Sequence, residues 1–120
     1  MSYDIRMKDQ VSGETLHADS PHFIRGGTYA VGGTTELWLN VTYNYTAIFA
    51  RDNVLGTEGI RSIYGKTGLE SIPMLERAIC NLNNDVSNNY WDATEGNAKR
   101  ALISLLTMAK MRPDGIWDGD

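Results

Sequence analysis

The chain has 120 residues, 42% of them hydrophobic and 22% charged, a composition that suits one folded domain and excludes a wholly disordered chain. Its formal charge is −4 and its isoelectric point is near 5.1, so the averaged field repels duplex nucleic acid, which is not an expected partner. No run reaches the roughly 18 apolar residues of a membrane span, and the N-terminal residues lack a basic segment followed by an apolar one, so no membrane association is expected and the cytoplasm is the expected compartment.

Tyr3, Ile5 and Met7 alternate with Asp4, Arg6 and Lys8, the period of a half-buried strand. Ser12-Gly13 supplies a turn, after which Glu14 to Ala18 returns as a hairpin strand or continues as a loop that Pro21 ends. Gly26-Gly27 and Gly32-Gly33 bracket Thr28 to Val31. That pattern suits a short strand between tight turns or, as the functional alternative, a backbone nest for an anion. The clearest strand is Glu36 to Tyr45, with Leu37, Leu39, Val41, Tyr43 and Tyr45 on the core face and Trp38, Asn40, Thr42 and Asn44 on the other.

Thr46 is a cap for a short helix over 47–52, and Thr57-Glu58 opens another that Gly65 ends. Ile72, Leu75, Ile79 and Leu82 recur at helical spacing, with Pro73 suited to the first turn of that helix and Asn83-Asn84 to its end. Cys80, the one cysteine, cannot form an internal disulfide and reads as a buried thiol within the apolar pattern. Thr94 stands where an N-cap precedes a last helix running to about Met111, whose core stripe is Ala98, Leu102, Leu105 and Ala109 flanked by Ala101 and Met108. The acidic tail after Pro113 reads as solvated turns around a docked Trp117. Together these elements predict an α+β domain over 1–120, an N-terminal antiparallel β-sheet packed against C-terminal helices.

Gly65-Lys66-Thr67 resembles the end of a phosphate-binding loop, but Ile60 occupies the place of the first glycine, so only weak anion binding by Lys66 and Thr67 at a helix start is expected. His17 and His22 have no further ligands at metal spacing, and Asp114, Asp118 and Asp120 lack the order of a calcium loop. No nucleophile–base arrangement is visible. The expectation is therefore no metal, no cofactor and no catalytic residue.

Two segments carry ligand-binding chemistry. Asn40, Thr42 and Asn44 form a row of amides and hydroxyls able to hold a planar polar ligand, or else a wet sheet face or subunit contact. The stretch 88–100 places Tyr90 and Trp91 for stacking, Asn97 for reading polar edges, and Lys99 and Arg100 near a helix start, the components of a nucleotide pocket. The alternative is that the aromatics staple the loop to the core while Asn97 and Glu95 support the cap.

Through Gly27-Thr28-Tyr29-Ala30-Val31-Gly32-Gly33-Thr34, Val41-Thr42-Tyr43-Asn44-Tyr45, Gly65-Lys66-Thr67-Gly68, Thr94 to Ala101 and Ala109 to Gly115, the chain resembles a group of small uncharacterised proteins encoded by bacteriophages and prophages. The resemblance implies a bacterial host cytoplasm and transfers no catalytic residue. Phage proteins of this size commonly act by binding, some by sequestering nucleotide signals of host immunity as homo-oligomers. The leading expectation by that analogy of class is a non-enzymatic sponge for a small anionic or nucleotide ligand. The alternative is a protein-binding or assembly accessory using Trp38, Trp117 and the polar strand face.

Overall fold

The computed structural model describes residues 1–22 and 34–120. The expected Thr28–Val31 strand and its flanking glycine pairs lie outside them. Five strands are described, β1 (Ser2–Lys8), β2 (His17–His22), β3 (Thr34–Glu36), β4 (Trp38–Thr42) and β5 (Ile116–Gly119), with helices α1 (Thr46–Phe49), α2 (Gly68–Cys80) and α3 (Glu95–Met111) and 3₁₀ segments at Tyr43–Tyr45 and Gly59–Ile63. The fold is α+β, as the patterning predicts: an antiparallel sheet in the order β4-β1-β5 with helices packed against it, and a separate β2-β3 pair.

Alternation places β1. Tyr3, Ile5 and Met7 are buried while Asp4 is exposed, so one side of the strand enters the core. The return after the Gly13 turn is shorter than a hairpin. Thr15 bridges Lys8, and Leu16 donates its N–H to the Met7 carbonyl, but β2 then pairs with β3 and continues through Pro21 to His22. Leu37 stitches the two sheets together, accepting from the Met7 N–H and donating to the Leu16 carbonyl.

The long strand expected over 36–45 is broken twice. Leu37, Leu39 and Val41 are buried as the period requires, but the chain leaves the sheet after Thr42, whose Oγ1 accepts from the Asn44 N–H and turns it into the 3₁₀ segment. Tyr45 is buried in that turn and Tyr43 partly so. Thr46 is the first residue of α1, and its hydroxyl donates back to the Tyr43 carbonyl at 2.6 Å.

Helix α2 begins four residues before the first apolar repeat because a capping box nucleates it: Thr67 Oγ1 accepts from the Glu70 N–H while Glu70 Oε1 accepts from the Thr67 N–H. Pro73 therefore falls in the second turn, not the first, and removes one helical hydrogen bond. The helix ends at Cys80 with Asn81 as its cap. Cys80 is exposed, not buried, because it follows Pro73 and Glu76 along the outward stripe. Helix α3 behaves as expected: Thr94 Oγ1 accepts from the Asn97 N–H, and Ala98, Ala101, Leu102, Leu105, Met108 and Ala109 are all buried.

The tail is a strand rather than solvated turns. Trp117 is 1% exposed and its Nε1–H donates to the buried Ser71 Oγ at 2.8 Å. Asp118 accepts from Arg6 and lies 4.0 Å from the Lys8 ammonium, while Asp120 accepts from the Asp4 N–H. Cationic partners on the central strand thus hold acidic residues that composition alone assigns to water.

Candidate functional site

Most of the residues singled out from the sequence, Lys66 and Thr67 at the start of α2 excepted, lie along the end of β4, the loop before α3 and the start of α3, where their polar groups bond mostly to the chain itself. Asn40 is 7% exposed, and its Nδ2 donates to Ser2 Oγ at 2.6 Å and Asp4 Oδ1 at 2.9 Å. The Thr42 N–H donates to the Tyr90 hydroxyl, and Asn44 Nδ2 donates to the Trp91 carbonyl at 2.8 Å. These bonds clip the loop before α3 onto the end of β4. Tyr45 donates its hydroxyl proton to the Tyr90 carbonyl, and the two rings meet edge to face at 5.6 Å. Burial raises the Tyr45 hydroxyl well above the usual tyrosine range and also raises that of Tyr90.

Asn97 is the hub of that loop. It is 5% exposed; its Oδ1 accepts from the Ser87 N–H and its Nδ2 donates to the Asn89 and Asp92 carbonyls. Lys99 Nζ donates to the Leu82 carbonyl and to Asn84 Oδ1, tying α3 to the loop that follows α2. Trp91 is about half exposed with its ring 5.2 Å from Tyr90. Arg100 is exposed on α3. Of the segment's aromatic and cationic groups, the Trp91 face and the Arg100 guanidinium remain open to solvent.

Both longer helix starts are likewise closed. At α2 the Gly68 N–H bonds the Gly115 carbonyl, Leu69 the Pro113 carbonyl, and Glu70 the Thr67 hydroxyl. Lys66 and Thr67 do stand at a helix start, but the amides that would receive an anion there are occupied. At α3 the N–H groups of Gly96, Asn97 and Ala98 go to Asp85, the Thr94 hydroxyl and the Thr94 carbonyl.

A cleft of about 310 Å³ lies elsewhere, between the start of β1, α1 and the Gly59–Ile63 segment, lined by Tyr3, Thr46, Ala50, Thr57, Glu58, Gly59 and Arg61. Gly59 has φ +57°, a left-handed conformation that favours glycine. It turns the chain so that Arg61 comes back over β1. The guanidinium carbon sits 5.0 Å from the centre of the Tyr3 ring and 5.9 Å from that of Tyr43, a cation–π arrangement. The two rings themselves meet edge to face at 4.5 Å.

Arg61 Nε donates to the Asp120 main-chain oxygen at 2.7 Å. Among the described residues its two terminal nitrogens have no partner. Nearby, burial raises the Tyr64 hydroxyl above its usual range, and neither that oxygen nor Ser62 Oγ has a hydrogen-bond partner among the described residues. The sequence reading missed this cleft because its residues come from three elements and form no linear motif. The available signal was Gly56-Thr57-Glu58-Gly59, a turn with a glycine at each end, followed closely by an arginine.

No family model, curated protein or solved structure matches this chain. Among the described residues no helix is long and apolar enough to cross a membrane, and no group of three His, Cys, Asp or Glu is placed to hold a metal ion.

Proposed function

We propose that this chain is a binding protein that captures a small anionic molecule in the Arg61 cleft and leaves it intact. The nucleotide expectation from sequence rests on the separate 88–100 segment and on the analogy with phage binding proteins, and is carried over to this cleft as a class of ligand to test. The observation that supports the proposal is the guanidinium held between two tyrosine rings and the Asp120 oxygen, with its terminal nitrogens unpartnered among the described residues on the wall of a cleft. A pre-set planar donor of this kind suits a phosphate or carboxylate, because little side-chain freedom is lost on binding. The volume is near the lower end of the roughly 300–1,000 Å³ typical of small-molecule sites.

Melting the protein with a panel of mononucleotides, cyclic nucleotides and ADP-ribose derivatives tests the reading. A ligand at about 100 times its Kd stabilises the native state by about 2.7 kcal/mol, and the ligand recovered after heating is unchanged. Arg61→Ala removes the shift. A panel with no stabilising member sinks the proposal, and recovery of a cleaved product replaces it with an enzyme.

Protein recognition is the second reading, favoured by Trp91 and Val86, both about half exposed on one loop. Its mark is a partner that co-purifies with the native chain and is lost with Trp91→Ala, without any nucleotide-dependent change in melting.

A further inference from the structure

We infer that the cleft takes a nucleoside monophosphate, its phosphate on Arg61 and its ribose hydroxyls on Glu58 and the Tyr3–Thr46 hydroxyl pair; this rests on reading the cleft as the ligand site. The argument follows the protons. Thr46 Oγ1 is 2.6 Å from the Tyr43 carbonyl and 2.7 Å from the Tyr3 hydroxyl. A carbonyl has no proton to give, so the single Thr46 proton goes to it, and the Tyr3 proton must then go to Thr46. Both hydroxyl protons are spent, and the pair offers a ligand only lone pairs.

Glu58, exposed at the rim, is a second acceptor when ionised, and among the described residues it has no partner. Arg61 supplies the opposite chemistry, a guanidinium held by Tyr3, Tyr43 and Asp120. The cleft thus asks for an oxyanion next to groups carrying O–H or N–H. A ribose phosphate meets that demand, since its phosphate takes the guanidinium bidentately and its hydroxyls donate to a carboxylate, the arrangement by which acidic residues hold ribose in dinucleotide sites. A hydroxy-carboxylate shares the chemistry and is separated by experiment. The volume of about 310 Å³ suits one nucleotide better than two. Asp120 lies beside Arg61 and keeps its charge, with Oδ1 fixed by the Asp4 N–H at 2.8 Å, so a phosphate on the guanidinium sits on the edge away from it.

Calorimetric titration of the full chain with adenylate, deoxyadenylate, adenosine, inorganic phosphate and malate decides it. Adenylate binds tightest. Deoxyadenylate, lacking one donor, binds about fivefold more weakly, the value of one net hydrogen bond, and adenosine without its phosphate at least about tenfold more weakly. Arg61→Ala brings adenylate down to the level of adenosine, and Glu58→Leu, which removes the acceptor, closes the gap between adenylate and deoxyadenylate without weakening phosphate binding.

Equal binding of adenylate and deoxyadenylate by the native chain overturns the ribose assignment. So does malate binding more tightly than adenylate. Arg61-dependent binding of some other panel molecule without adenylate leaves the cleft as a ligand site and removes this inference alone. Absence of any binding removes both. Because Arg61 and Glu58 are exposed, circular dichroism and an unchanged melting temperature verify that the variants fold.

Discussion

The corner around Asn97 and the cleft around Arg61 make opposite use of polar residues. The corner is rich in amides, hydroxyls and cations, and nearly all of them are bonded to the chain: Asn97 to Ser87, Asn89 and Asp92, Lys99 to Leu82 and Asn84, Asn44 to Trp91. The cleft is poorer in such groups, yet its arginine is gripped on one edge and open on the other. Recognition of a ligand depends on unspent donors and acceptors held in place, and a count of polar side chains does not measure those.

The sharpest way to break the comparison is to remove the hub. Asn97→Ala deletes three side-chain hydrogen bonds at a position 5% exposed and leaves main-chain groups of residues 87, 89 and 92 without partners. The expected loss is about 3 kcal/mol in urea unfolding, with binding at the cleft intact in the fraction that remains folded. A loss below about 1 kcal/mol would show that the corner is not the self-bonded knot described here. Next in size is Gly96→Ala. A Cβ there would come within 2.5 Å of the Asp85 backbone, so the loop must move off α3 at a cost of about 2 kcal/mol, readable as faster amide exchange over residues 83–94.

Smaller still are the two exposed groups. Trp91→Ala and Arg100→Ala change stability by about 0.5 kcal/mol or less and leave nucleotide affinity untouched if the cleft is the site. A tenfold loss of affinity with either would return the site to the corner. The smallest effect is a pH dependence at the same corner. Glu95 accepts from the Asn83 N–H and from Arg51, which lower its carboxyl below the ordinary 4.5. Its contribution is complete above 4.5 and fades as acid takes the pH down through the lowered folded value. Replacing Glu95 with Gln flattens that part of the acid unfolding curve, and an unchanged curve would show that the carboxylate is idle.

Legibility from sequence followed the range of the forces involved. β1 and α3 were readable because burial on one face imposes a period on Tyr3, Ile5 and Met7 and on Ala98, Leu102, Leu105 and Ala109. Thr94 was readable because an N-cap acts within one turn. The break of the long strand at Thr42 was hidden: a side-chain bond to the Asn44 N–H competes with the ladder there, although the alternation runs on to Tyr45. β5 was hidden as well, since its acidic residues become strand residues only when Arg6 and Lys8 stand opposite. In the corner, the residues were found and their proximity was foreseen in part, for Asn44, Tyr90, Trp91 and Asn97 do lie in one connected network. The alternative weighed from sequence, that the aromatics staple the loop to the core while Asn97 supports the cap, is the one the hydrogen bonds follow; only the partners Ser87, Asn89 and Asp92 were out of its reach. The cleft eluded the sequence, since Tyr3, Thr46 and Arg61 meet only through tertiary structure.

The central strand of the main sheet takes one neighbour from residues 38–42 and the other from residues 116–119, the Arg6–Asp118 pair being 112 positions apart. A nascent polypeptide leaving the ribosome therefore carries a strand with one bare edge, and a core lacking its largest side chain, until residues 116–119 have emerged. Such an edge is a template for adhesion between incomplete chains. Translation that stalls in α3 should yield insoluble fragments, whereas emergence of residues 116–119 lets the sheet close.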